Sequence, residues 1–213
     1  MKLYDYLDSG NGYKVRLTLA HLGLAYEWEE CDILRGATRT PAFLARNPNG
    51  RIPTLELDDG SFLAESNAII WYLAEGSPLV PGDRLGRARA LQWMFFEQYS
   101  HEPYVATPRF IMKHLPADAP RRAELPDRLE RGRAALAVME RHLADHRYFA
   151  GGRFSVADIA LYAYTHVAHE GGHDLAPYPQ LRAWLDRVAG QPGHRPLGER
   201  PRAATSGCAA PAG

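Results

Sequence analysis

Asn47-Pro48-Asn49-Gly50-Arg51-Ile52-Pro53-Thr54-Leu55-Glu56-Leu57, with Glu65-Ser66-Asn67 shortly after it, is the stretch that decides the fold of this 213-residue chain. It opens with turn formers, passes through an X-Pro bond and becomes a short alternating strand. Asp58-Asp59-Gly60-Ser61 then reverses the chain into Phe62-Leu63, and a helix starts near Glu65. A proline opening a strand has no backbone N–H to give to a ladder. The residue before it is pushed toward an extended conformation. Ile52 therefore presents its N–H and C=O to something other than its own sheet. Two readings follow: a tight turn into a hairpin, or a backbone clamp for a peptide-like ligand.

Upstream, Leu3, Tyr4, Tyr6 and Leu7 form a short apolar run that reads as a buried strand, broken by Asp8-Ser9-Gly10-Asn11-Gly12. Val15, Leu19 and Leu22 recur at helical spacing, and Gly23 is the expected stop. A second strand alternates from Tyr26 to Cys31, residues 32–40 read as a loop, and Pro41 to Ala45 as a short helix. Downstream, Gly76-Ser77-Pro78-Leu79-Val80-Pro81-Gly82-Asp83 is a linker, and the pattern beyond it is helical throughout. Ala88 to Phe95 starts a long helix that runs toward His101 and the prolines at 103 and 108. Leu125, Leu129, Leu136, Met139 and Leu143 mark an amphipathic helix. Ser155-Val156-Ala157-Asp158 has the shape of a capping box, and Tyr178 to Leu185 begins a last helix. The expected organisation is 1–76, 84–194 and a mobile tail over 195–213.

The composition is that of a globular protein, 46% hydrophobic and 23% charged. Lys+Arg and Asp+Glu number 25 each, so there is no electrostatic footprint for nucleic acid or an anionic membrane. Cys31 and Cys208 form no CxxC and no zinc spacing. No apolar run reaches the roughly 20 residues that span a bilayer. The expectation is a cytoplasmic protein.

In their order, the 47–55 stretch, Asp58-Asp59-Gly60, Glu65-Ser66-Asn67-Ala68-Ile69 and Phe154-Ser155-Val156-Ala157-Asp158-Ile159-Ala160 resemble the cytosolic glutathione transferases, over roughly residues 2–190. The resemblance implies an α/β plus all-α fold: a thioredoxin-like N-terminal domain that binds glutathione, and a C-terminal helical-bundle domain that contributes the electrophile pocket. It implies a cis bond between Ile52 and Pro53, with the Ile52 backbone paired to the cysteinyl unit of glutathione as an added strand would be. Ser66 would take the γ-glutamyl carboxylate, at a helix start suited to anions, and Glu65 the ammonium. Arg35, Arg39 and Arg51 are candidates for the glycyl carboxylate. Glutathione is then a co-substrate. The implied activity is conjugation of its thiol to a small apolar electrophile, or reduction of an organic peroxide, in a homodimer. The alternative is a scaffold on the same fold that acts through protein contacts.

Only the thiolate is a good nucleophile, and lowering a thiol near pKa 8.5 by two units needs about 2.7 kcal/mol of preferential anion stabilisation. The turn Ser9-Gly10-Asn11 resembles the Ser/Thr-x-Asn turn of bacterial transferase groups, which makes Ser9 the first candidate and Asn11 the second. Tyr4, Tyr6 and Tyr13 are runners-up, and Cys31 reads as a small buried hydrophobe. Across the linker, Tyr99, His101 and Tyr104 are expected to line the electrophile side, with Phe96, Glu102 and Arg109 as further candidates. Glu97, His101 and Glu102 read equally well as an exposed face. His169-Glu170-Gly171-Gly172-His173 lacks the HExxH spacing of a zinc helix, so no metal is expected.

Overall fold

The structure, a computed structural model, describes residues 1–201. It opens β1 (Lys2–Asp5), α1 (Gly10–Leu22), β2 (Glu27–Glu30), α2 (Pro41–Arg46), β3 (Thr54–Glu56), β4 (Phe62–Ala64) and α3 (Ser66–Ala74). The four strands form one sheet in the order β2-β1-β3-β4. β2 lies parallel to β1, reached through α1, with Leu3 opposite Trp28. β3 and β4 run antiparallel, Tyr4 opposite Thr54 and Thr54 opposite Ala64. This is the thioredoxin-like arrangement expected from the resemblance.

Local signals set most of these boundaries. Gly23 ends α1 in the left-handed region at φ 65°, where a residue without Cβ is unstrained. Thr40 caps α2, its hydroxyl accepting from Phe43 N–H, with Pro41 at the first helical position. The span 32–40, expected as loop, contains short 3-10 turns at Ile33–Arg35 and Ala37–Arg39.

Beyond residue 83 every element among the described residues is helical, the α-helices being α4 (Arg84–Phe96), α5 (Glu102–His114), α6 (Leu125–Asp145), α7 (Val156–Thr165) and α8 (Pro179–Ala189). A π-helical segment, Glu97–His101, joins α4 to α5. The proline at 103 sits in the first turn of α5, where its missing N–H has no intrahelical acceptor to serve. α7 is the hub. All ten of its residues are buried, as in a helix apolar on every side, and α1, α3, α4, α5 and α8 pack around it. Asp158 anchors its start: the carboxylate accepts from Ser155 N–H and hydroxyl, each at 3.0 Å, from Phe149 N–H at 3.2 Å and from Trp184 Nε1 at 2.9 Å. Burial still pushes that carboxyl up to about 6. The linker is pinned to the same place, Leu79 C=O accepting from Val156 N–H at 3.0 Å.

Residues 195–201, expected as the start of a mobile tail, lie against α1: Tyr13 Oη donates to Arg195 C=O at 2.6 Å and Arg16 to Leu197 C=O at 2.7 Å. The remainder of the expected tail, with Cys208, lies outside the described residues. No helix among the described residues is long and apolar enough to cross a membrane.

Candidate active site

Two helix N-termini meet at the edge of the sheet. Ser9 caps α1, its Oγ accepting from Gly12 N–H at 3.3 Å. α3 begins at Ser66, two residues after the Thr54–Ala64 pairing, which sets the Ile52-Pro53 loop beside it. Ser66 Oγ donates to Asn11 Oδ1 at 3.2 Å and so ties the second terminus to the first. The positive ends of the two helices converge there, an arrangement suited to an anion.

The Ile52–Pro53 bond is cis. The β1–β3 ladder starts only at Thr54, so Ile52 lies outside it. Asn47, 4% exposed, staples the loop: its Nδ2 donates to Arg51 C=O at 2.8 Å and to Thr54 Oγ1 at 3.3 Å. Gly50 takes φ 62°, and a Cβ there would sit 2.5 Å from Arg39 Nη1. Arg39 reaches this loop, donating to Asn49 C=O at 3.3 Å, and both Arg39 and Arg51 are exposed. Glu65 is exposed and takes φ 68°, the one non-glycine in the left-handed region among the described residues. Strain of this kind amounts to about 1–3 kcal/mol and clusters at ligand-binding positions.

The helical half grips the Ser9 turn from three directions. Arg109, buried, donates to Asp8 C=O at 2.9 Å and to Asp8 Oδ1 at 2.6 Å, and its Nε reaches Glu170 at 2.8 Å. Lys113 spans the same two carboxylates at 2.7 and 3.1 Å. Hydrogen bonds from these cations hold the Asp8 carboxyl below its ordinary value despite its partial burial. Tyr164 Oη accepts from Asn11 N–H at 3.2 Å, and burial raises its pKa so that it stays protonated. Glu102 Oε1 accepts from Asn11 Nδ2 at 3.0 Å.

Beneath the turn, Lys14 and Glu97 form an ion pair at 2.8 Å with both side chains fully buried. Burial pushes the Glu97 carboxyl up, and the Lys14 charge opposes it. This corrects the reading of Glu97 as part of an exposed face. The physical reason is the π-helical segment. Its i→i+5 turn shifts the helix register, so that Glu97 and Glu102 fall on one side and both reach α1.

The same shift turns two expected pocket residues away. His101 is completely buried, Nε2 donating to Thr165 Oγ1 at 2.9 Å, and burial pushes its pKa down to about 3, so it is neutral and reaches no ligand. Tyr104 faces α6, its hydroxyl accepting from Arg131 at 3.2 Å with the guanidinium over its ring. Tyr99 is 84% exposed on the outer side of the π-helical segment. Two of the three tyrosine runners-up for thiol activation are occupied as well: Tyr4 Oη donates to Glu56 at 2.7 Å and Tyr13 Oη to Arg195 C=O at 2.6 Å. His173 Nε2 bonds Tyr104 C=O at 2.9 Å, and His166 stacks on Tyr162. Cys31 is buried, its thiol pushed up to about 11. Lys14 and Tyr164 were not singled out from the sequence. A lysine inside a helix and a tyrosine in an apolar one carry no local mark of what they face.

Comparison with known proteins agrees with this geometry. Residues 9–75 match the family model described as the N-terminal domain of glutathione S-transferase, and residues 122–187 match that of its C-terminal domain. A maleylacetoacetate isomerase from Pseudomonas aeruginosa is 33% identical over 202 residues, covering 92% of this chain and 94% of the relative. A crystal structure of a glutathione S-transferase from Pseudomonas fluorescens superposes with a TM-score of 0.89 at 54% identity, over 93% of this chain and 98% of the other. A glutathione transferase from Pseudomonas putida, solved with one glutathione disulfide bound per subunit, superposes with a TM-score of 0.79 at 26% identity, over 90% and 87% of the two chains.

Proposed function

The chain belongs to the glutathione S-transferase family, and from that premise we propose that it binds glutathione and activates its thiol. The thiolate is conjugated to a small apolar electrophile or reduces an organic peroxide. The observation that carries the reading is the Ser66–Asn11 hydrogen bond at 3.2 Å, which joins the two helix N-termini into one anion-accepting site. In this reading Ser66 takes the γ-glutamyl carboxylate and Glu65 its ammonium. The Ile52-Pro53 loop pairs with the cysteinyl backbone, and Arg39 and Arg51 take the glycyl carboxylate. Ser9 Oγ and the Asn11 amide donate to the sulfur. In conjugation the thiol proton goes to solvent, the sulfur lone pair forms the S–C bond, and the leaving group departs with its bonding pair. Residues 1–76 hold glutathione and residues 84–194 supply the other wall. Of Tyr99, His101 and Tyr104, Tyr99 alone is exposed.

An isomerisation through the same thiolate is the second reading, favoured by the 33% identity to the maleylacetoacetate isomerase. A homodimer belongs to the proposal as well. Tyr72 and Phe95, 53% and 70% exposed, flank an apolar groove of about 660 Å³ between α3 and α4 on which a second copy would sit. So does a cytoplasmic location.

Immobilised glutathione is expected to retain the protein, and Glu65→Ala to abolish retention. Ser9→Ala is expected to lower kcat far more than it raises KM for glutathione. A wild type that flows through the column, with no thiol-conjugating, peroxidase or isomerase activity, refutes the enzyme reading in favour of a scaffold.

A further inference from the structure

Behind the candidate site six side chains close into a hydrogen-bonded ring. Lys14 Nζ donates to Glu97 Oε1 at 2.8 Å and to Ser66 Oγ at 3.4 Å. Ser66 Oγ donates to Asn11 Oδ1 at 3.2 Å, and Asn11 Nδ2 donates to Glu102 Oε1 at 3.0 Å. Gln98 Nε2 closes the circuit, donating to Glu102 Oε2 at 2.9 Å and to Glu97 Oε2 at 2.8 Å. The partners come from α1, α3, α5 and the π-helical segment.

The chemistry of the members fixes the direction of every bond. An ammonium only donates and a carboxylate only accepts. Ser66 already receives from Lys14, so its own proton goes to Asn11 Oδ1. That places the Asn11 amide nitrogen against Glu102. One of its two protons is taken by the carboxylate, and the other stays available to a ligand. The orientation of an asparagine amide is decided by such partners, because its oxygen and nitrogen are nearly the same size.

We propose that Glu102 is a positioning residue: accepting from Asn11 on one oxygen and from Gln98 on the other, its carboxylate locks the Asn11 amide with the NH₂ group toward the thiol site. The inference rests on the role of Asn11 in thiol activation proposed above. Glutamine at 102 breaks the ring although it has the same shape. With its oxygen toward Asn11, its NH₂ opposes the Gln98 NH₂. With its NH₂ toward Asn11, the Asn11 amide must flip, which puts Oδ1 in place of the donor and its NH₂ against a Ser66 hydroxyl whose proton then has no acceptor.

Charge and position predict opposite outcomes. A carboxylate beside a forming thiolate opposes its ionisation, so if Glu102 acts only as a charge, Glu102→Gln lowers the thiol pKa. If it positions Asn11, the same substitution raises it. The test follows the near-ultraviolet absorbance of the glutathione thiolate bound to wild type, Glu102→Gln and Glu102→Asp across pH. It is joined by the pH profile of kcat/KM and the side-chain amide signals of Asn11 in the ligand-free ¹⁵N-labelled protein, assigned by their loss in Asn11→Ser.

The expected result for Glu102→Gln is a thiolate midpoint about one pH unit higher and kcat about tenfold lower at neutral pH. KM for glutathione should change less than twofold, the Asn11 signals should move, and Glu102→Asp should recover part of the loss. A midpoint that stays or falls in Glu102→Gln overturns the proposal. So do Asn11 signals unchanged in the ligand-free variant, a readout that holds whether or not glutathione binds. Failure of the wild type to bind glutathione would instead sink the proposed function and leave the spectrum to decide the amide's orientation. Should Glu102→Gln not fold, Gln98→Met removes the other support of Glu102 and is expected to shift midpoint and signals in the same direction by a smaller amount.

Discussion

Replacing Lys14 by methionine keeps most of the volume beneath the Ser9 turn but leaves Glu97 buried with no cation beside it. Asn67 and Gln98 still donate to its carboxylate, at 3.1 and 2.8 Å, so the group is not stripped of hydrogen bonds. It has a second escape, which is to take up a proton. From an ordinary value of 4.5, holding the carboxyl neutral at pH 7 takes about 3.4 kcal/mol, and at pH 5 only about 0.7 kcal/mol. These figures cap the electrostatic penalty at each pH, because the chain protonates before it accepts a worse one. The sign follows from linkage. An unpaired buried carboxyl has its folded pKa raised, so its penalty is absent below the unfolded value and grows as pH rises above it. The variant is therefore expected to lose about 2–3.4 kcal/mol relative to wild type at pH 7, and less than about 1 kcal/mol at pH 5 beyond the small packing change. At pH 7 that corresponds to a fall in Tm of roughly 4–14 °C for a chain of this size. Urea unfolding of wild type, Lys14→Met and Lys14→Met/Glu97→Gln at both pH values measures it. The double variant should recover most of the loss, which makes the coupling explicit. A loss below about 1 kcal/mol at pH 7, or an equal loss at both pH values, would refute the claim that burial of this pair is what makes the lysine necessary.

Two further perturbations test the packing around the site. Thr165 Oγ1 donates to Leu161 C=O at 2.6 Å, so it accepts from His101 Nε2, and the imidazole is neutral with its pKa pushed down to about 3. Between that value and the unfolded 6.5 the unfolded chain binds the extra proton. The histidine therefore withdraws stability as pH falls, about 2 kcal/mol by pH 5. His101→Gln should flatten the fall in urea stability between pH 7 and pH 5 by that amount, and parallel curves would count against it. A Cβ on Gly12 would lie 1.5 Å from Asp5 Oδ1, and the other oxygen of that carboxylate, Oδ2, accepts from Arg16 Nε at 2.9 Å with both side chains buried. Gly12→Ala should thus displace the carboxylate and lower stability by about 3–5 kcal/mol, read by thermal melting. An unchanged melt would show that Asp5 swings aside harmlessly.

Much of the fold was legible because its signals are local. The αL glycine at 23, the Ser155–Asp158 start of α7 and the linker at 76–83 act through backbone groups a few residues away. Within the candidate site, the 47–55 loop, Glu65-Ser66 and Ser9-Asn11 were legible for the same reason: each is a turn or a helix start. The helical wall was not. Whether His101 or Glu102 faces the turn depends on a single π-helical register shift, and neighbouring aromatic and ionisable residues from 95 to 104 look alike before that shift is known.

By itself, then, the chain order of strands, caps, glycines and prolines determined the sheet-then-helices architecture and the three segments that form the candidate site. Tertiary structure alone decided which charges are buried together. Lys14 meets Glu97, Asn11 meets Ser66 and Glu102, and Asp5 meets Arg16 inside a packed interior. Most of these partners lie tens of residues apart. Their pairing is set by the need of buried donors and acceptors to find one another once water is excluded, a condition that exists only after the helices have packed.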